Sequence, residues 1–579
     1  MPLFFVLCRC RGGKFWNICF FVYFCAVKPL IAMTRKKRVT FLIGLLMPAL
    51  FCSCGNNRGS EYNSFKVNIP WGVRADAYPG HVEISWNSSN GADYELWRRS
   101  SGKYELVAVS SSSPYLDFSI GASGSVRNFT YALCPKGLDP LWLEDSAFVS
   151  SHPRAESLLM NVLVPAASDS LLIDAVQRYT TRYFTDFAEP YSGMARERSN
   201  DTKADIVTIG GSGFGLMALI AAQERKYVTD EQALEQYDRI LNFLETVERF
   251  HGAWAHWYDA DTRKPFSFSK YDDGGDLVET AFMAQGLIAL RQHLKDSNPQ
   301  LSRRADRLWR EIEWDWYTRD NSDSLYWHWS RNWGWKMNHR IKGYDECLIT
   351  YVLAASSPTH PIPARVYESC YKTSTYYHNG KEYYGIPLTI GMEYGGPLFF
   401  THYSFLGLDP RGLNDGLTDY WERGRAHSLI HYNYAKENPK GHEGLGENLW
   451  GFTSSDDPMV GYSSHHPYTE AENGTVSPTA ALSSIVYTPE ESLRCLRHLY
   501  YDLGNLTFGK MGFYDAYNPS MVEGEQVVRS YLAIDQGPIA VMMENYRSGL
   551  LWKLFMSAPE IPAGLAKLGF TVNETNQNK

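Results

Sequence analysis

Apolar and polar residues alternate along His81-Val-Glu-Ile-Ser-Trp86, Tyr94-Glu-Leu-Trp97, Tyr104-Glu-Leu-Val-Ala108 and Asn128-Phe-Thr-Tyr-Ala-Leu133. This is the two-residue period of strands with one buried face. Runs rich in Asn, Ser and Gly at 87–91 and 121–124 separate them, so residues 64–150 are expected to form a small β-sandwich. After a short connection from Ser150 to about Ser168 the period lengthens to that of helices. Apolar-periodic segments recur at 170–187, 212–226, 230–250, 275–295, 299–319, 344–356, 363–372, 397–408, 417–438, 477–486, 489–503 and 533–556. Thr229-Asp-Glu-Gln232 and Thr488-Pro-Glu-Glu491 have the form of capping boxes. Twelve helices taken in pairs predict a mainly α chain with an (α/α)6 toroid over 168–572, whose long loops build a site on one face. A repeat solenoid is the alternative, but no fixed repeat motif runs through the segment.

The first 60 residues do not belong to this fold. Met33-Thr-Arg-Lys-Lys-Arg38 is a basic start, Phe41 to Phe51 is a short apolar run, and Phe51-Cys-Ser-Cys54 follows. The run suits the apolar segment of a secretion signal better than a membrane span. Together with Gly55-Asn-Asn57 it resembles a bacterial lipoprotein signal, with translation starting at Met33 and Cys54 carrying the lipid. The expectation is an exported chain, lipid-anchored in the bacterial envelope (periplasm or outer membrane). Six of ten cysteines fall in this leader; Cys134, Cys347, Cys370 and Cys495 are scattered, which indicates neither a disulfide framework nor a zinc site.

A net charge of −8 over 579 residues carries no nucleic-acid footprint. Aromatic residues are the anomaly, at 14% with 17 Trp and 38 Tyr. Such side chains suit a core and sugar rings equally well. Many sit in loops beside polar groups: Trp254, His256 and Tyr258; Trp327, Trp329, Trp335 and Asn338; Trp450; Tyr462 and His465; Tyr514. Each is a candidate for substrate binding, although each alone is more often packing.

The candidate chemistry lies in Tyr271-Asp-Asp-Gly-Gly-Asp-Leu-Val-Glu-Thr280, four carboxylates at the mouth of an apolar helix. If that helix starts near Gly274–Gly275, Asp276 and Glu279 share a face, Asp272 lies in the preceding loop, and Asp273 serves as a cap. Crowded, partly desolvated carboxylates have raised pKa values, as a general acid requires. Glu346 opens another helix after Gly343-Tyr344, beside Asp345, which reads as its cap. Gly210-Gly-Ser-Gly-Phe-Gly215 lacks the Lys-Ser/Thr of a phosphate loop and reads as a tight turn into a closely packed helix. His465-His466 lacks further ligands at a metal spacing.

Thr208-Ile-Gly-Gly-Ser-Gly-Phe-Gly215, the 271–280 stretch, Gly343-Tyr-Asp-Glu-Cys-Leu348, and Asp535-Gln-Gly-Pro-Ile539 followed by Glu544-Asn-Tyr-Arg-Ser-Gly-Leu-Leu-Trp552 resemble the glycoamylase-like domain. Within that group the chain is similar to the endo-β-1,2-glucanases of glycoside hydrolase family 144, over about 170–570. The resemblance implies an (α/α)6 fold, an inverting hydrolase of β-1,2-linked glucans, no metal or other cofactor, and a cleft lined by Asp272, Asp276, Glu279 and Glu346. It also brings in Asp535 as a reserve site residue. Asp345 departs from the family, where Asn is the more frequent residue. The β region resembles a fibronectin type III module, with a spacer or docking role. On this reading Glu346 is the acid, Asp272 or Asp276 the base, directly or through water, and Glu279 holds the cluster's protonation or a hydroxyl. The expected partner is a β-glucan poly- or oligosaccharide, and the expected state a monomer. Two other functions stay open: a non-catalytic glycan-binding lipoprotein, and a polysaccharide lyase, which the crowded acids disfavour because they repel a uronate.

Overall fold

The computed structural model describes residues 69–88, 91–200 and 205–573. Leader residues Met33 and Cys54 lie outside that set. The described residues form one compact unit, mainly helical with a small N-terminal β region.

Seven strands open the described chain: β1 (Trp71–Tyr78), β2 (His81–Asn87), β3 (Tyr94–Arg99), β4 (Glu105–Ser110), β5 (Tyr115–Asp117), β6 (Arg127–Pro135) and β7 (Leu159–Val164). They form two antiparallel sheets, in the orders β1-β2-β5 and β4-β3-β6-β7. Val82, Ile84 and Trp86 from one sheet share a core with Leu96, Tyr131 and Val162 from the other. The alternation read in the sequence supplies these inward residues. The β region reaches Val164, beyond the expected boundary at 150. Leu-Met-Asn-Val-Leu-Val (159–164) pairs with β6 along its length, but its near-continuous apolar run carries no clear two-residue signal.

A buried polar contact joins this region to the helices. His81, stacked between Tyr78 and Phe118, hydrogen-bonds Tyr500 Oη at 2.6 Å and Tyr179 Oη at 2.9 Å. Glu83 receives Arg182 Nη1 at 2.6 Å and also the Tyr179 hydroxyl.

The helices are α1 (Ser146–Ser151), α2 (Asp169–Thr185), α3 (Ile209–Glu224), α4 (Asp230–Thr246), α5 (Leu277–Leu294), α6 (Pro299–Arg310), α7 (Leu348–Ser356), α8 (Ala364–Ser369), α9 (Phe399–His402), α10 (Tyr420–Glu437), α11 (Pro478–Leu482), α12 (Pro489–Arg497), α13 (Gly504–Thr507), α14 (Ala533–Ser548), α15 (Leu550–Met556) and α16 (Glu560–Lys567). α3, α5 and α7 are apolar and buried nearly all round, whereas α4, α6 and α12 keep a polar outer face. α3 packs on α5 and on α14. Gly213 and Gly286 set that first contact: a Cβ on Gly213 would overlap the Phe282 carbonyl, and one on Gly286 the Gly213 carbonyl.

Several expected boundaries move. Gly210–Gly213 lie inside α3 rather than in a turn, although the close packing holds. The Thr229–Gln232 capping box is present; Thr488 makes no cap hydrogen bond, because its hydroxyl donates back to the Ser484 carbonyl. The expected 533–556 helix breaks at Gly549, whose φ is 67°. α16 lies beyond the last expected segment.

Candidate active site

The 271–280 stretch is shaped by two glycines. Gly275 and Asp276 pair antiparallel with Trp329 and His328, and Gly275 also bridges Ala255. Three chain segments are thereby laid side by side. A Cβ on Gly274 would overlap the Trp329 carbonyl, and one on Gly275 the Tyr317 hydroxyl. No larger residue fits at either position. The helix starts at Leu277, two residues later than the sequence suggested, and Asp276 rather than Asp273 is its cap. Asp273 instead accepts from Ser330 Oγ and from Asn332 Nδ2, tying two loops together.

Asp276 is fully buried and takes four donors. Its Oδ1 accepts the Val278 and Glu279 amides, each at 2.9 Å. Its Oδ2 accepts Trp327 Nε1 and His256 Nδ1, each at 3.0 Å. Burial pushes its pKa up, but the His256 hydrogen bond and charge, the Glu279 amide and the Trp327 indole outweigh burial and hold it below the usual carboxylate value. Asp276 is the fixed anion of the site.

His256 stands between Asp276 and Glu279, whose Oε1 lies 3.8 Å from its Nε2, and stacks on Phe268 at 4.4 Å. Burial lowers its pKa, but the charge of Glu279 and the bond to Asp276 outweigh this and raise it to about 9. It is an imidazolium at neutral pH.

Glu279, in the first turn of α5, sets its carboxylate against the first turn of α3: Gly210 N donates to its Oε2 at 2.7 Å. A Cβ on Gly210 would stand 2.5 Å from that oxygen, so glycine makes the approach possible. Burial is the largest influence on Glu279 and lifts its pKa to about 7, with His256 opposing and Asp276 adding. Asp272 is buried, with Oδ1 3.4 Å from His328 Nε2 and no hydrogen-bond donor of its own. Burial first, then Asp276, raises it to about 7.

Glu346 approaches from the loop before α7. Ser404 Oγ holds its backbone carbonyl at 2.6 Å. Burial, followed by the neighbouring Asp345 charge, pushes its pKa well above the ordinary value. Asp345 accepts the Cys347 amide at 2.9 Å, but the helix starts only at Leu348, with Cys347 and not Asp345 at its cap position and Glu346 before it.

These groups meet at a cavity of about 270 Å³. Glu279, Glu346, His256, Trp327 and Tyr462 line it. Asp272 and Asp276 stand behind this wall rather than on it. Glu197, Arg198, Phe268, Phe399 and Tyr403 also line the cavity, and sequence reasoning did not single them out. Arg198 bridges Glu197 at 2.7 Å and Asp456 at 2.9 Å. Asp456 in turn donates its amide to Asp515 Oδ2 at 2.6 Å. Asp535 is buried beside Asp515, and burial first, then the Asp515 charge and the hydrogen bond between the two, push its pKa well above the ordinary carboxylate value.

The remaining candidates lie elsewhere. Trp254 is wholly buried with its indole donating to the Leu244 carbonyl, and Tyr258 donates to the Glu248 carbonyl. Trp450 is core, donating to the Glu491 carbonyl. His465 is buried between Asp457 Oδ2 and the Ala471 carbonyl. Trp329 and Trp335 pack around Trp316, and Asn338 receives Arg319. Each satisfies packing or backbone demands. Tyr514 lines a separate groove. Ligand atoms of His256, Asp272 and Asp276 lie within 4.8 Å of one another, but Asp276 and His256 Nδ1 are already hydrogen-bonded. Asp345, Glu346 and Cys347 form the other such group.

Two carboxyl groups of raised pKa on one small cavity, one of them beside an imidazolium, suit acid–base cleavage of a glycosidic bond, and known proteins agree: the chain is a glycoside hydrolase. It is 36% identical over 530 residues to an exo β-1,2-glucooligosaccharide sophorohydrolase (non-reducing end) of Parabacteroides distasonis, covering 87% of this chain and 71% of that one. A β-1,2-glucanase structure from Parabacteroides distasonis superposes with a TM-score of 0.75 at 35% identity, over 86% of this chain and 72% of the other. An endo-β-1,2-glucanase of Chitinophaga pinensis, solved with sophorotriose and glucose, gives 0.68 at 49% identity, over 70% and 99%. Residues 338–559 match the family model described as putative glucoamylase, and 177–328 match one of unknown function. The chain belongs to the glycoamylase-like family, with the β-1,2-glucanases of glycoside hydrolase family 144.

Proposed function

We propose that this enzyme hydrolyses β-1,2-glucan or its oligosaccharides by inversion, with Glu346 as general acid and Glu279 as the carboxylate that activates water. The observation that carries this reading is that both groups line one cavity while Asp272 and Asp276 do not. Glu346, buried beside Asp345, keeps its proton for the glycosidic oxygen. Glu279, raised to about 7 by burial, reaches its ionised, basic form from neutral pH upward, and the His256 cation and the Gly210 amide favour that form. The base role thereby moves from Asp272 or Asp276, which have a supporting part: Asp276 orients His256, and Asp272 adds to the field that keeps it charged. Inversion places the attacking water on the face of the sugar opposite the acid. The names of the relatives support the substrate.

The same reading pairs the helices as an (α/α)6 toroid and takes the seven-stranded region as a fibronectin type III-like module. The leader implies export and a lipid anchor at Cys54, and the chain is taken as a monomer. Incubation of the purified protein with β-1,2-glucan is the test. Oligosaccharides whose first-formed anomer is α support the proposal; no products at any pH refute the substrate, and a β anomer refutes inversion.

A further inference from the structure

A larger cavity, of about 840 Å³, lies where the β region meets the helical part. That volume is within the roughly 300–1,000 Å³ of small-molecule sites. The β4–β5 loop (111–114), pinned by the Trp86 amide to Ser113 Oγ at 2.8 Å, forms one side. Tyr514, Tyr531, Arg529 and Lys510 form the other.

This groove shares a wall with the active-site cavity. Arg198 and Leu532 are bridged, and Ser199 and Tyr531 exchange a backbone bond at 3.0 Å. Arg198 and Leu532 line the active-site cavity, whereas Ser199 and Tyr531 line the groove.

Its chemistry differs from that of the cleft. Among the described residues no carboxylate lines it, so they supply no acid or base there for glycoside cleavage. Its polar groups are hydroxyls, the Asn505 amide and two exposed cations, Lys510 and Arg529, that have no ion-pair partner among the described residues. The Tyr514 and Tyr531 rings pack 5.0 Å apart, and Arg529 covers Tyr514 at 5.6 Å. Both tyrosine hydroxyls converge on Gly509, where a Cβ would overlap the Tyr531 oxygen and stand 2.5 Å from that of Tyr514. Tyr531 is only 3% exposed, with its hydroxyl beside the Tyr514 side chain and the Met511 backbone.

We propose that this interdomain groove is a second carbohydrate-binding site, which takes a neutral gluco-oligosaccharide chain and holds it beside the catalytic cavity. The hydroxyl, amide and cationic donors of the groove can bind sugar hydroxyls, and a rim with no carboxylate among the described residues leaves it a binding site alone. The ligand class rests on the β-1,2-glucan reading above.

The test is titration of β-1,2-glucan into Glu346→Gln protein by isothermal calorimetry, repeated with Lys510→Ala/Arg529→Ala and with Ser112→Trp added. All three altered groove positions are exposed, and a matching melting temperature confirms folding. The expected result is loss of one class of site and about tenfold weaker polymer binding in both groove variants, ~1.4 kcal/mol. Parent-like affinity and stoichiometry in both variants overturn the proposal, as does tighter binding of a polyanionic glycan than of the neutral polymer. Turnover by the wild type is scored separately. Its absence removes the substrate reading, while groove-dependent binding of the same polymer still upholds the groove.

Discussion

Gly210 donates its backbone N–H to Glu279 Oε2 at 2.7 Å, which sets a carboxylate of α5 on the first turn of α3. The missing side chain is what permits it. A methyl group there would stand 2.5 Å from the same oxygen and 2.9 Å from Phe282. Gly210→Ala is therefore expected to lower kcat on β-1,2-glucan by about tenfold or more, since ångström-scale misplacement carries that cost. A wild-type kcat with an unchanged melting temperature contradicts this.

The His256 cation holds Glu279 and Asp272 toward their charged forms. His256→Gln removes it, so both carboxylates should bind protons more tightly. The acidic limb of the kcat profile, which reports ionisation of the base, should move to higher pH. An unmoved or lower limb in the variant tells against Glu279 as base.

The same groups make stability fall as pH rises. His256 has a folded pKa of about 9 against 6.5 in the free side chain. Its contribution is thus fully present below about 6.5 and lost as pH climbs through 9. Asp272 and Glu279, raised to about 7, act in the same direction between their ordinary values and 7, because the fold favours their protonated forms. Asp276, held low, opposes them only in strong acid. Melting temperature should decline between pH 6.5 and 9, and the decline should flatten in His256→Gln.

His81 is buried and neutral: burial first, then Arg182, lowers its pKa to about 3. Its contribution to folding weakens as pH falls below about 6.5, where the unfolded chain takes a proton and the folded one does not. His81→Phe keeps the stacking but strands the Tyr500 hydroxyl, while the Tyr179 hydroxyl keeps its bond to Glu83. A loss of about 1–3 kcal/mol in unfolding free energy is expected, on the scale of one unpaired buried group. Denaturant titration reads it.

Much of this was legible in the sequence, for identifiable reasons. Alternation at His81–Trp86 found a strand because its sheet has one core face, while β7 hid in a continuous apolar run. The carboxylates at 272, 276, 279 and 346 stood out because charge beside apolar helix positions is costly. Their division was not legible. It depends on Trp327 and His256, brought to Asp276 by strand pairing across fifty residues of chain, and on the Gly210 amide, which no spacing rule announces. The aromatic loops misled where an indole or phenol had a backbone carbonyl to satisfy, as at Trp254, Tyr258 and Trp450. Arg198 gave no signal, since its role rests on an ion pair with Asp456 far along the chain.

The central claim, that Glu346 donates the proton in β-1,2-glucan cleavage, is tested most directly by following products from a long β-1,2-glucan with wild type and Glu346→Gln side by side. Oligosaccharides from the wild type, with kcat about 100- to 10,000-fold lower in the variant at an unchanged melting temperature, are predicted. Near-normal turnover by Glu346→Gln, or no product from the wild type, contradicts it.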